Sequence, residues 1–362
     1  MNITASTARY EAWLATELGD ELVAADLDAK HQRMAEAPFP FLRATYWRWA
    51  ECILNWCPAL AEAESVLAVG DIHLENFGTW RDADGRQIWG VNDYDEAAEM
   101  PWPLDLVRLA TSALLATPKG PGAADISAAL LAGYAAGLEN PRPFVLDQQP
   151  GAISDAVRHA KARPGQVFWD RLEKAARAHA GKPGPRWLAA LHAALPHGAE
   201  VVRVARRTAG TGSLGRPRWV MLAEWRGGRV AREAKAVVAS AWVLPPGRGG
   251  RAPRCQEAAS GAYRVPDPWY AVANHIVVRR LSPNNRKIEL AEDTATLLSA
   301  PVLQAMGHEL ASMHRGSSGA GRLRRGLAAM PKHWLKQAAT LAAERTAAEH
   351  AEWRAGFSPA KR

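Results

Sequence analysis

Three short stretches of this 362-residue chain hold the side chains with the most chemical potential. The first is Gly70-Asp71-Ile72-His73-Leu74-Glu75-Asn76, which follows an apolar run from Ser65 to Val69. An aspartate at a strand end can accept a proton from an incoming hydroxyl. An asparagine five residues on offers a neutral oxygen to a hard cation such as Mg²⁺. The same two residues would serve equally as caps of a polar turn.

The second stretch, Asn92-Asp93-Tyr94-Asp95-Glu96, packs three carboxylates into four residues. They repel one another unless a cation sits among them. The strand-like run QIWGV (87–91) leads into them and puts Asp93 at a strand end rather than in an open acidic turn. The third stretch is Gly210-Thr211-Gly212-Ser213-Leu214-Gly215. Glycines let backbone N–H groups approach phosphate oxygens because no β-carbon intervenes. Lys235 follows 20 residues after Gly215, in a chain with only 10 lysines. A hairpin turn around Pro217 and a strand-edge lysine are the plainer readings of that pair.

Taken together, the parts match one chemistry. Phosphoryl transfer uses a glycine-rich cover, a lysine on the phosphates, a metal-binding Asp and Asn, and an Asp beside the acceptor hydroxyl. In that scheme Asp71 is the base. Asn76 and Asp93 hold Mg²⁺. Gly210, Gly212, Ser213, Gly215 and Lys235 hold the phosphates of ATP. The order along the chain is inverted: the base and metal residues precede the glycine loop. A metal-dependent phosphohydrolase built on His73, Asp93 and Asp95 is a rival, but it gives the glycine loop and Lys235 no role.

The elements that must position these residues are readable from periodicity. Three-to-four spacing of apolar residues marks helices over 8–65, interrupted at AEAPFPFLR by Pro38 and Pro40. Ser65–Val69 reads as a strand, DADG (82–85) as a hairpin turn, and Leu104–Leu138 as helix. VVRVARR (201–207), RWVMLAEW (218–225), RVAREAKAVV (229–238) and HIVVRRL (275–281) read as strands. A short helix is expected near Gln256–Ser260, and longer ones over 291–315 and 328–354. The final FSPAKR is expected to fray.

The formal net charge of +8 conceals an asymmetry. Residues 1–150 carry 10 Lys+Arg and 22 Asp+Glu, a net of −12; residues 151–362 carry 35 and 15, a net of +20. A basic mean suggests a nucleic-acid partner, but no nucleic-acid motif accompanies the arginines. A cleft between an acidic and a basic half fits Mg²⁺ and a triphosphate better. Three cysteines make a poor disulfide framework, and no segment has the length and apolarity of a signal peptide or membrane span. A cytoplasmic protein without a membrane partner is therefore expected. Neither the acceptor nor the oligomeric state is specified by the sequence.

Gly70-Asp71-x-His73-x-x-Asn76 resembles the catalytic loop of aminoglycoside and choline phosphotransferases, relatives of the protein kinases, and VNDYDEAAEMPWPLDLVRLA resembles the segment that follows in them. The resemblance implies the roles given above for Asp71, Asn76 and Asp93, makes Asp95 a second metal ligand or a residue supporting the first from behind, and makes Asp105 a brace for the catalytic loop. Much of the chain, roughly 30–315, also resembles a bacterial family known as domain of unknown function 2252, through PFPFLR, GDIHLENFG, NDYDEA, GTGSLGRPRW, REAKAVVAS, VRRL and GHELASMH.

In the phosphotransferases a helix ending in a Leu-x-x-Leu-His pattern runs directly into the catalytic loop; here the similar Leu310–His314 lies near the C-terminus. The resemblance thus implies an α+β, protein-kinase-like two-lobe fold, circularly permuted. Its parts would be an N-terminal helical segment (1–65), the catalytic-loop half of a helical lobe (66–199), a β-rich nucleotide lobe (200–290) and completing helices (291–362). A helix glutamate, Glu257, would pair with Lys235. The implied activity is an ATP- and Mg²⁺-dependent phosphotransferase acting on a hydroxyl. The alternatives are a nucleotide-binding pseudokinase scaffold and a kinase-fold AMP transferase. Here Val69 stands where those enzymes usually have His, and Asn92 where they have an apolar residue.

Overall fold

The computed structural model describes residues 1–148, 151–159, 165–178 and 181–357. Of the FSPAKR tail only Phe357 is among them; residues 358–362 lie outside the described residues. The fold mixes helices with small antiparallel sheets. Among the described residues no helix is long and apolar enough to cross a membrane.

Four helices open the chain: α1 (Ile3–Leu18), α2 (Ala24–Glu36), α3 (Pro38–Ala44) and α4 (Tyr46–Trp56). The interruption expected at AEAPFPFLR is one extended residue, Ala37. Pro38 starts α3 at once, because the first turn of a helix needs no N–H from it. Next come β1 (Ser65–Ala68), the hairpin of β2 (Phe77–Arg81) and β3 (Gln87–Val91), and β4 (Ala98–Pro101), which pairs with β1.

The single helical stretch expected over 104–138 is two helices, α5 (Pro103–Ala116) and α6 (Ala123–Glu139), parted where Pro118, Gly120, Pro121 and Gly122 cluster. β5 (Phe144–Val145) adds to β3, and α7 (Ala152–His159), α8 (Gly165–Ala178) and α9 (Pro185–Ala193) follow.

The second half supplies a five-stranded antiparallel sheet: β6 (Glu200–Arg206), β7 (Arg218–Trp225), β8 (Gly228–Ala236), β9 (Ala271–Ala273) and β10 (Ile276–Leu281). The spatial order is β6-β7-β8-β10-β9, with the short α10 (Cys255–Ala259) between β8 and β9. Period-two alternation gives this sheet two faces. Trp219, Met221, Ala234, Ala236, Ile276 and Val278 pack on α9 through Trp187 and Leu191. Val220, Leu222 and Ala231 pack on α8 through Leu172 and Ala176. α8 and α9, expected within the 66–199 part of the helical lobe, therefore cover the sheet instead. Their apolar stripes fit its two faces.

The chain ends with α11 (Leu290–Leu297), α12 (Ala300–Arg315), α13 (Ala320–Ala329) and α14 (Trp334–Gly356). α12 and α14 share one large core with α5, α6 and the opening helices.

Asp105, in the first turn of α5 and fully buried, ties this core to the loop after β1. Its carboxylate accepts from the backbone N–H groups of Val69 (2.8 Å) and Gly70 (3.0 Å), and lies 3.0 Å from His314 Nε2 at the end of α12. The Nδ1 of that histidine is 2.9 Å from the Tyr134 hydroxyl on α6. Gly70 has φ +79°, and a β-carbon there would strike the Glu96 carbonyl and the Tyr46 hydroxyl. Both backbone freedom and close approach therefore require glycine at this turn.

Removing the brace leaves two buried N–H donors and the Nε2 of His314 unpaired. Asp105→Ala is therefore expected to lose about 3 kcal/mol of stability, and Asp105→Asn less, because the amide oxygen still accepts. Urea unfolding of the two variants beside wild type checks this.

Candidate functional site

The loop after β1, the loop after β3 and the glycine loop between β6 and β7 converge on one cavity of about 290 Å³. Asp71, Asn76, Asp93, Asp95, Gly210, Gly212 and Ser213, expected from three separate stretches of sequence, all line it. Lys235 lies behind them, nearly fully buried on β8, and Gly215 closes the loop with φ +95°.

Asp71 is held from below by Arg108 of α5, whose Nη2 (2.5 Å) and Nε (3.2 Å) both donate to Oδ1. Arg108 is itself buried, donates to the Leu42 carbonyl and lies over the Tyr46 and Trp49 rings. Burial raises the Asp71 pKa above the ordinary carboxylate value, against the opposing pull of Arg108. The other oxygen, Oδ2, lies under the glycine loop: a β-carbon on Gly212 would come within 3.1 Å of it.

Asn76 closes the same loop. Its Nδ2 donates to the carbonyls of Asp71 (3.2 Å) and Asp93 (3.0 Å), while its buried Oδ1 has no partner. His73 does not point to chemistry: its Nδ1 accepts from the Glu75 N–H at 3.2 Å, and burial lowers its pKa well below the ordinary value, so it stays neutral.

Asp93 keeps its side chain 38% exposed. Burial opposes its ionisation, but the charges of Lys235, Arg279, Lys287 and Arg218 outweigh that and hold its pKa far below the usual range. Asp95 behaves differently. Its side chain, largely but not fully buried, lies 2.5 Å from Lys235 Nζ and 3.7 Å from Arg216, and burial together with the neighbouring charge of Asp93 raises its pKa. Its geometry is that of the lysine's partner rather than of an open metal ligand.

That role was expected of Glu257, and the structure does not bring Glu257 to Lys235. Glu257 is an exposed residue of α10 that pairs with Arg254, three positions before it, at 2.6 Å. An adjacent arginine on the same turn is closer to hand than a lysine on another element.

The sheet contributes a row of charges that no sequence motif singled out. Strand register sets Arg218 beside Lys235, and Glu233 beside Arg279, on one face. Glu233 is fully buried and takes three guanidinium groups: Arg218 at 2.6 Å, Arg279 at 2.7 Å, and Arg207. Arg207, Arg218 and Arg279 all line the cavity, as do Arg43, Arg216 and Lys287. For Arg218, Glu233 and Arg279 the signal was available in the period-two pattern, which puts them at inward positions of otherwise apolar strands. Glu96 adds a further link, accepting from Arg216 (2.7 Å) and from the Ala241 N–H (2.6 Å).

A second cavity, of about 620 Å³, adjoins the first and shares Arg207, Arg279, Lys287 and Glu289 with it. Its walls include Trp80, Tyr94, Phe168, Leu172 and Tyr270, and it borders Leu281–Pro283 at the end of β10. Among the described residues no group of three or more His, Cys, Asp or Glu is arranged to hold a metal. Magnesium characteristically takes one or two protein carboxylates and completes its shell with water and phosphate oxygens. The donor set here, one partly exposed Asp and one unpartnered Asn oxygen, fits that habit.

The model of a family described as an uncharacterized protein conserved in bacteria (DUF2252) matches residues 22–139. The matched span holds Asp71, Asn76, Asp93 and Asp95 and ends before the glycine loop and Lys235. No curated protein matches the chain, and no solved structure matches it.

Burial alone would raise the Glu233 pKa, but Arg218, Arg279, Arg207 and Lys235 hold it well below 4.5. A depressed carboxylate contributes stability that is present above its unfolded pKa and is lost as pH falls toward its folded value. Wild-type stability is therefore expected to decline on acidification from about pH 5 downward. Glu233→Gln is expected to be about 3 kcal/mol less stable at neutral pH, with a flatter acid limb. Denaturation curves taken across that pH range test both statements.

Proposed function

We propose that the cavity binds ATP with Mg²⁺ and transfers a phosphoryl group to an acceptor hydroxyl. The observation that carries this reading is the unpartnered, buried Asn76 oxygen next to Asp93, beneath a glycine loop and within reach of a buried lysine. The glycine loop joins the first and second strands of its sheet and Lys235 lies on the third, an arrangement that in protein kinases holds the nucleotide phosphates. The aromatic cavity beside β10 then takes the nucleoside, and Arg207, Arg279 and Lys287 span the boundary between the two cavities.

Asn76 and Asp93 would hold the magnesium, which supplies charge neutralisation on the phosphates. The remaining work belongs to the chain's own groups. Asp71, fixed by Arg108 and made more basic by burial, accepts the hydroxyl proton as the acceptor oxygen bonds to phosphorus and the bond to the leaving diphosphate breaks. Lys235, held between Asp93 and Asp95, and the Glu233-anchored arginines stabilise charge on the transferring group.

The permuted kinase-like fold gains support from α12. Its end lies against the start of the catalytic segment: His314 reaches Asp105, and the Leu67 N–H donates to Ser317 Oγ at 2.8 Å. The helix that would precede the catalytic loop in an unpermuted chain thus ends beside that loop.

Calorimetric titration with ATP in the presence of Mg²⁺ is expected to give micromolar affinity. Asp93→Ala should abolish the magnesium dependence, and Lys235→Met should weaken binding at least tenfold, about the value of one charge-assisted contact. Asp71→Asn should leave affinity intact while suppressing basal transfer to water by about 10²-fold or more. Wild-type affinity no tighter than millimolar would overturn the nucleotide reading; intact turnover in Asp71→Asn would remove Asp71 as the base.

A further inference from the structure

Lysine is rarely buried completely, yet Lys30 on α2 is only 1% exposed. Its Nζ lies 4.5 Å from the Trp47 ring and 5.2 Å from the Tyr10 ring, which stack on each other at 4.1 Å. It donates to the Gly212 carbonyl at 3.0 Å. The same stretch of chain grips the glycine loop at four further points. Arg33 donates to Thr211 Oγ1 (2.8 Å), and Asp26 accepts from Thr208 Oγ1 (3.0 Å). The Val23 N–H donates to the Gly215 carbonyl (3.0 Å), and Leu27 fills the space that a Gly215 β-carbon would need. Gly212 is the loop residue over Asp71 Oδ2. An apolar side chain would pack against these rings without the cost of a buried charge, so stability alone does not account for a lysine here.

We propose that Lys30 is a positioning residue for the glycine loop: through the Gly212 carbonyl it holds the loop closed over Asp71, so that the opening helices share control of the cavity with the sheet. The ligand side of this inference rests on the nucleotide reading above; the fastening of the loop does not. The groups that act on Lys30 are Tyr10 and Glu11 of α1, Trp47 of α4, Asp71, Glu96 and Arg216. Burial and the charge of Arg216 lower its pKa to about 7, against partial opposition from Glu11, Glu96 and Asp71. Below that value the bond to Gly212 is charge-assisted and stronger; above it the amine is neutral and the bond weakens.

The test is backbone hydrogen exchange of the glycine loop in the full chain without nucleotide, about one pH unit below and above that pKa and corrected for intrinsic rates, alongside Mg-ATP titration. Wild type is expected to lose loop protection across this step. Lys30→Met should show about tenfold less protection at the lower pH, the loss of one charge-assisted hydrogen bond, and no pH step. Lys30→Arg, which stays charged, should keep its protection at both pH values. Unchanged loop protection in Lys30→Met, or a pH step that persists in Lys30→Arg, overturns the inference. If Lys30→Met fails to fold, the Lys30→Arg profile decides alone. Exchange that behaves as expected in a protein that binds no ATP sinks the nucleotide reading and leaves the clamp standing.

Discussion

A carboxylate removed from water is tolerable only when its charge is answered, and three guanidinium groups crowded together are tolerable only around an anion. Glu233 and its arginines satisfy both conditions at once. Arg218 on β7, Arg279 on β10 and Arg207 after β6 meet a fully buried carboxylate on β8. None of the four could be placed there alone. The sheet face that packs on α8 at one end thus becomes a rigid cationic wall at the other. The excess of positive charge on that wall is what an anion in the cavity would meet.

The two halves of the chain are complementary along this wall. Asp93 and Asp95 come from the acidic half and Lys235 from the basic half; Glu96 and Arg216 repeat the pairing a few ångströms away. The overall +8 therefore describes no surface of the molecule. Part of the imbalance between −12 and +20 is resolved across this cleft, where Asp93, Asp95 and Glu96 meet Lys235 and Arg216, with Asp105 and Arg108 of α5 bracing the acidic side from behind.

What could be read directly from the sequence was what depends on neighbours in the chain. The strands of the β-rich half, the hairpin turned at DADG and the three loops that meet at the cavity are set by local alternation and by glycine. What could not be read depends on partners far away. Lys235 was expected to find Glu257, yet its partners lie some 140 positions earlier, because register and burial choose among carboxylates and sequence distance does not. Lys30 carried no local signal at all; only the packing of α2 on the glycine loop gives it meaning. The arginines were visible only as an excess of charge in the second half. Their inward positions in alternating strands set Arg218 and Arg279 apart from the rest.

The separation of the acidic and basic halves also bears on time. Synthesis proceeds from the N-terminus at about 5–20 residues per second, and Lys235 lies 142 residues after Asp93. Asp93 and Asp95 thus wait roughly 7–30 seconds for Lys235. During that interval Asp93 and Asp95 have only water and salt for company, so the helices around them can form while the cleft cannot close. The cleft at the centre of the molecule therefore cannot close until long after its carboxylates have been made, and the core beside it waits longer still for α12 and α14.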